Sequence, residues 1–275
     1  MSDLSMSRDE EPTIAAQLRT DVSHSARIWN YWLGGKDHYP VDAEVGEQIL
    51  GFVPALPRSA VADRKFLARA VEFLVTEAGI GQFLDIGAGL PTVDNTHEVA
   101  QRHDPTARIV YVDNDPIVLR HAQALLTSTA QGATDYIEAD LSSPEIILER
   151  AAQTLDFRRP VALTMLGVIN FITDTDQARA IVQQLLDAVP SGSYLVISHP
   201  TVEVDGEAMT EAVRYWNGQG SAPMTLRTRT ELLRLFEGVE LLDPGVVSCS
   251  RWRNDRSAAA GIVDVTHFCG VARKP

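Results

Sequence analysis

Between residues 80 and 200 the chain repeats one arrangement: a short apolar run, a glycine or acidic turn, then an amphipathic stretch. The runs cover 82–86, 108–112, 134–138, 161–166 and 194–198, and the stretches between them cover 95–102, 117–130, 144–154 and 175–189. Apolar positions in the stretches recur at helical spacing, whereas the runs are short and bounded by turn residues, as strands are. Strands alternating with helices in this way build a parallel sheet covered on both faces.

Upstream, Val61, Phe66, Leu67, Ala70, Val71 and Leu74 predict an amphipathic helix over 59–76 that ends at Gly79. Downstream the pattern is less regular, with helices expected at 207–216 and 230–236 and strands at 239–242 and 262–272. These late strands read as an antiparallel pair at the sheet edge. The expected fold class is therefore α/β and Rossmann-like, with a seven-stranded, mostly parallel sheet.

The N-terminal part divides by composition. Residues 1–25 read as a mobile lead-in, 26–78 as a helical cap and 79–275 as the nucleotide-binding domain. Trp29, Tyr31, Trp32 and Tyr39 crowd eleven residues of a chain only 7% aromatic, around Gly34-Gly35. This segment is a clasp on the main domain, a lid over a site, or both.

At 275 residues and 45% hydrophobic, the chain can bury a full core without disulfides or metal. Its two cysteines, Cys249 and Cys269, form no CxxC pair and read as buried free thiols. The formal charge of −13 argues against nucleic acid as a partner, and the cluster Arg251, Arg253 and Arg256 reads as a solvated loop. No secretory signal or membrane span is read, so a cytoplasmic location without a membrane partner is expected. No HxxxH or HExxH pattern supports a metal. Oligomeric state is not legible.

Ligands of open parallel sheets bind beyond the carboxyl ends of the strands. The first such loop reads Asp85-Ile86-Gly87-Ala88-Gly89-Leu90-Pro91-Thr92, and its glycines let backbone approach a ligand. A dinucleotide fingerprint would want a third glycine where Thr92 stands, so a nicotinamide cofactor is disfavoured. Asp85 would repel phosphates yet suits the cationic amine of a methionyl group, which favours S-adenosyl-L-methionine. After the second run, Asp113 can accept both ribose hydroxyls or be a simple turn acid, with Asn114 beside it and Asp115 capping the helix opened by Pro116. After the third, Asp140 and Leu141 can meet the adenine, or Asp140 merely starts the next helix. The fourth ends in Leu166-Gly167, with Asn170 either facing the ligand or capping a turn.

Four segments carry a resemblance: residues 27–39 (RIWNYWLGGKDHY), 82–92 (QFLDIGAGLPT), 110–116 (VYVDNDP) and 193–199 (SYLVISH). They resemble the actinobacterial S-adenosyl methyltransferase family, formerly a domain of unknown function, over roughly residues 25–273. Trp29 and Trp32 depart from the smaller or different residues common there. The resemblance implies a class I methyltransferase fold, S-adenosyl-L-methionine as cofactor and S-adenosyl-L-homocysteine as product, and an activity in EC 2.1.1.-. It leaves the acceptor open; a small molecule is expected. If a general base is used, Tyr31, Asp37, His38 and His199 are candidates, none singled out. A non-catalytic adenosyl-binding regulator and an NAD-dependent oxidoreductase are the alternatives.

Overall fold

The computed structural model describes residues 20–125, 127–219, 222–254 and 261–275. The lead-in expected at 1–25 and Arg256 of the basic cluster thus fall largely or wholly outside the described residues. Three helices precede the sheet: α1 (Ser25–Trp32), α2 (Pro40–Phe52) and α3 (Leu56–Thr76). Then follow β1 (Gln82–Ile86), α4 (Thr96–His103), β2 (Arg108–Asp113), α5 (Pro116–Leu125) and β3 (Ala133–Glu138). Next come α6 (Pro144–Ala151), β4 (Ala162–Leu166), a 3-10 turn (Ile169–Phe171), α7 (Thr175–Asp187) and β5 (Tyr194–Pro200). The chain closes with α8 (Gly206–Asn217), α9 (Arg229–Arg234), β6 (Glu240–Leu241), β7 (Val247–Ser248) and β8 (His267–Arg273).

The strands form one sheet in the order β3-β2-β1-β4-β5-β8-β6, with β7 also pairing β8. The first five strands are parallel, and β8 runs antiparallel to β5, β6 and β7. The sheet has eight strands, which corrects the expected seven. The extra strand, β7, is only two residues long, too short to leave a periodic signal. The late pair does form, but β8 lies against β5 and leaves β6 outermost. Seven-residue β8 is buried along six of its positions and matches β5 residue for residue, whereas two-residue β6 suits an edge. The strand expected from 262 begins only at His267.

Strand alternation sorts the core into two layers. Leu84, Ile86, Val110, Val112, Leu163, Leu195 and Ile197 pack against α6, α7 and α9. Phe83, Ile109, Ala162, Val196, Cys269 and Val271 face α3 and α4, through Phe66, Leu67, Ala70 and Val99. Both cysteines are buried free thiols in or beside this second layer. Helix α3 thus belongs to the sheet's own core, while α1 and α2 form a separate cluster with α8 through Ile28, Val45, Ile49, Met209 and Trp216. A buried ion pair, Arg27 Nε to Asp42 Oδ2 at 3.1 Å, ties α1 to α2. Asp42 also accepts the backbone N–H of His24 and of Tyr39, so its charge is satisfied from three sides.

Candidate active site

The carboxyl ends of β1, β2, β3 and β4 open into one cavity of about 290 Å³, roofed by α1 and α8. Asp85, Gly87, Ala88, Gly89, Leu90, Thr92, Asp113, Asn114, Asp140, Leu141, Leu166, Gly167 and Asn170 all line it. The parallel register explains the convergence: Ile86 pairs with Val112 and Asp113 with Glu138, so successive loops leave the sheet at one level.

Within the glycine loop, Gly87 has φ of +76°, and a Cβ there would overlap Val168 from the β4 loop. Only glycine fits both constraints. Asp85 shares the strand face of Phe83 and so points toward α3 and α4. Its Oδ2 accepts the Thr96 hydroxyl at 2.6 Å and its Oδ1 the Thr164 hydroxyl at 2.8 Å. Burial raises its carboxyl above the ordinary range, against the lowering effect of these hydroxyls. A cationic group would restore the balance.

Asp113 Oδ2 accepts the Gly89 N–H at 2.9 Å and Oδ1 the Asp115 N–H at 2.9 Å. One side chain thereby fixes both the glycine loop and the turn into α5, and burial again pushes its carboxyl above the ordinary range. Asp115 Oδ1 accepts the Ile117 N–H at 2.8 Å, the helix-capping role expected of it, and its Oδ2 lies 3.2 Å from His24 Nδ1. The cap is thus pinned beside Asp113. Asp140 lines the cavity, and its Oδ1 accepts the Ser142 N–H and hydroxyl in the turn before α6. Burial would raise this carboxyl, but the Ser142 groups and the Asn114 amide outweigh it and hold it below its ordinary value. Asn170 is buried, with no partner for its Oδ1 among the described residues.

The four candidate bases lie elsewhere. Tyr31 donates to Glu47 Oε2 at 2.6 Å and meets the His38 ring edge-on, and Asp37 is exposed; none of the three borders the cavity. The Gly34-Gly35 pair between them is a packing device: Gly34 has φ of +77°, and a Cβ on Gly35 would overlap the Asn30 side chain. His199 is fully buried outside the cavity because alternation along β5 turns it to the α7 and α9 layer, away from Ser198. Its Nδ1 lies 2.7 Å from the Pro200 carbonyl and its Nε2 2.6 Å from Arg227 Nη1. Burial and the Arg227 charge lower it to about 3, so it stays neutral. Arg227 also donates to the carbonyls of Ile169 and Ile172, which makes the pair a brace for the turn that carries Asn170.

Among the polar groups in the cavity that were not anticipated are Asp63, Arg64 and His267. Asp63 falls in the buried stripe of α3, three residues after Ala60 and four before Leu67, and burial pushes its carboxyl up to about 6. A charge at an apolar-face position was its available signal. Arg64 donates to the carbonyls of Val93 and Asp94, while its buried Nε has no partner among the described residues. His267 is brought to the carboxyl edge by pairing opposite Pro200, and its ring meets Trp29 at 5.2 Å. Its buried Nδ1 lacks a partner among the described residues, and burial lowers it to about 4. Among those residues no group of three potential metal ligands occurs, and no helix is long and apolar enough to cross a membrane.

Parallel strands with an antiparallel last strand, and a ligand cavity at their carboxyl ends, define a Rossmann-like class I methyltransferase fold. The model of the family described as S-adenosyl methyltransferase matches residues 11–275, and the chain belongs to this family. Its cofactor is accordingly S-adenosyl-L-methionine. Among solved structures, a DUF574 family protein from Streptomyces avermitilis is 46% identical with a TM-score of 0.90, over 94% of this chain and 100% of that one. A putative methyltransferase from Thermobifida fusca is 36% identical with a TM-score of 0.85, over 96% and 99%. The plantazolicin methyltransferase BpumL, 12% identical with a TM-score of 0.53 over 91% and 96%, shares the fold alone. No curated protein matches the chain.

Proposed function

We propose that the protein transfers the methyl group of S-adenosyl-L-methionine in line to a small-molecule acceptor held in the same cavity. The observation that carries this reading is the row of acids at successive strand ends, Asp85, Asp113 and Asp140, along one wall of that cavity. Asp113 keeps a lone pair on each oxygen for the two ribose hydroxyls, and Asn114, Asp140 and Leu141 border the adenine. Gly87, Ala88 and Gly89 bring backbone against the ligand without side-chain interference. Asp85 faces the methionyl amine and the unpaired Nε of Arg64 its carboxylate, so the zwitterion meets its complement and the orphaned Nε gains a partner. Leu166, Gly167 and Asn170 flank the reacting end.

When bound, the cofactor supplies an electrophilic methyl that the acceptor's lone pair attacks as the carbon–sulfur electrons return to sulfur. The residues contribute mainly by positioning and by excluding water, through the roof of α1 and α8. Thermal-shift measurement with S-adenosylmethionine, S-adenosylhomocysteine and NAD tests this. The adenosyl compounds should raise the melting temperature at concentrations where NAD does not; stabilisation by NAD alone would overturn it.

A further inference from the structure

Beyond the strand-end acids, the cavity continues into a chamber whose walls come from the cap and α8. Trp29 and Trp32 of α1 meet edge-on at 5.9 Å, and Phe171 and Trp216 lie 6.3 Å apart. Met209 and Met224 complete the apolar lining, with flexible side chains that adapt to a ligand's outline. Arg64 is the only lysine or arginine on the cavity wall among the described residues, and in the placement above its free Nε is taken by the cofactor's carboxylate. An anion here would face the carboxylates of Asp63, Asp85 and Asp113 without a free cation. A fixed positive charge would give up its water against this largely apolar wall, with Asp63 the one carboxylate that the placement above leaves to it. Two polar atoms interrupt the apolar wall without partners among the described residues, Asn170 Oδ1 and His267 Nδ1. Buried orphan groups reward a ligand that brings a matching hydrogen bond and penalise one that does not.

We propose that the methyl acceptor is a flat, uncharged aromatic compound bearing a hydroxyl, its ring seated among Trp29, Trp32, Phe171 and Trp216 and its hydroxyl directed to Asn170 and His267. Aromatic walls favour a ring over a saturated body of equal size. The inference rests on the cofactor placement proposed above, which leaves this chamber for the acceptor.

The test is calorimetric titration of the full-length protein saturated with S-adenosylhomocysteine, using 2-naphthol, trans-2-decalol, 2-naphthoate and 2-naphthylmethylammonium as probes. The expected result is binding of 2-naphthol at least tenfold tighter than the saturated alcohol and both ions. Phe171→Leu and His267→Phe should each weaken 2-naphthol at least fivefold while leaving S-adenosylhomocysteine affinity within twofold. Equal or tighter binding of either ion or of the decalol would overturn the proposal. So would failure of 2-naphthol to bind protein that does bind S-adenosylhomocysteine. Failure of S-adenosylhomocysteine itself would instead refute the cofactor placement, and this inference with it.

Discussion

Replacing Asp113 by alanine removes a carboxylate that does two things at once. It holds the Gly89 and Asp115 N–H groups at 2.9 Å each, and it presents the remaining lone pairs to the cavity. Only 7% of the residue is exposed, so the charge is largely desolvated and its hydrogen bonds are of the charge-assisted kind. Each such bond to a ribose hydroxyl contributes about 1.5–3 kcal/mol. Water entering the space left by the side chain recovers part of this, which places the loss near the low end, about 3–4 kcal/mol for the pair. That is a weakening of roughly 100- to 1000-fold. Isothermal titration with S-adenosylhomocysteine measures it, with circular dichroism to confirm that the variant is folded. Asp113→Asn, which keeps the shape but only one acceptor oxygen, should fall between wild type and alanine. A folded alanine variant that loses less than about fivefold would refute the reasoning, since neither ribose bond could then exist.

Asp63→Asn should be more stable than wild type at pH 7–8, by at most about 3 kcal/mol, because the folded carboxyl titrates at about 6 rather than at its ordinary 3.8. The folded state holds the extra proton between those values, so wild-type stability falls as pH rises through that window; denaturant titrations of both proteins should converge below pH 4. His199→Leu should destabilise the fold by about 1–3 kcal/mol, since buried Arg227 loses a partner, yet leave S-adenosylhomocysteine affinity within about twofold. A large loss of affinity in a stable variant would instead place His199 in the site.

The bounds of β1 and the positions of the strand-end acids were legible because short-range patterns determine them: an apolar run, then a glycine or an acid. The expectation for 82–86 coincides with β1. His267 was not legible because its place depends on β8 pairing with β5, a partner some seventy residues away. Asp63 was readable only as an exception on an apolar helix face. The His199 position was ambiguous in the same way: one residue of register along a strand decides between cavity and core, and here Ser198 and His199 take opposite faces. In the Gly34-Gly35 segment, Gly35 packs against Asn30, and the neighbouring Tyr31, Asp37 and His38 do not border the cavity.

The most direct measurement is a crystal structure of the protein with S-adenosylhomocysteine. The account predicts both ribose hydroxyls within hydrogen-bond distance of the Asp113 carboxylate, the methionyl amine at Asp85 and its carboxylate at Arg64. A nucleoside bound elsewhere, with Asp113 still joined only to Gly89 and Asp115, would contradict it.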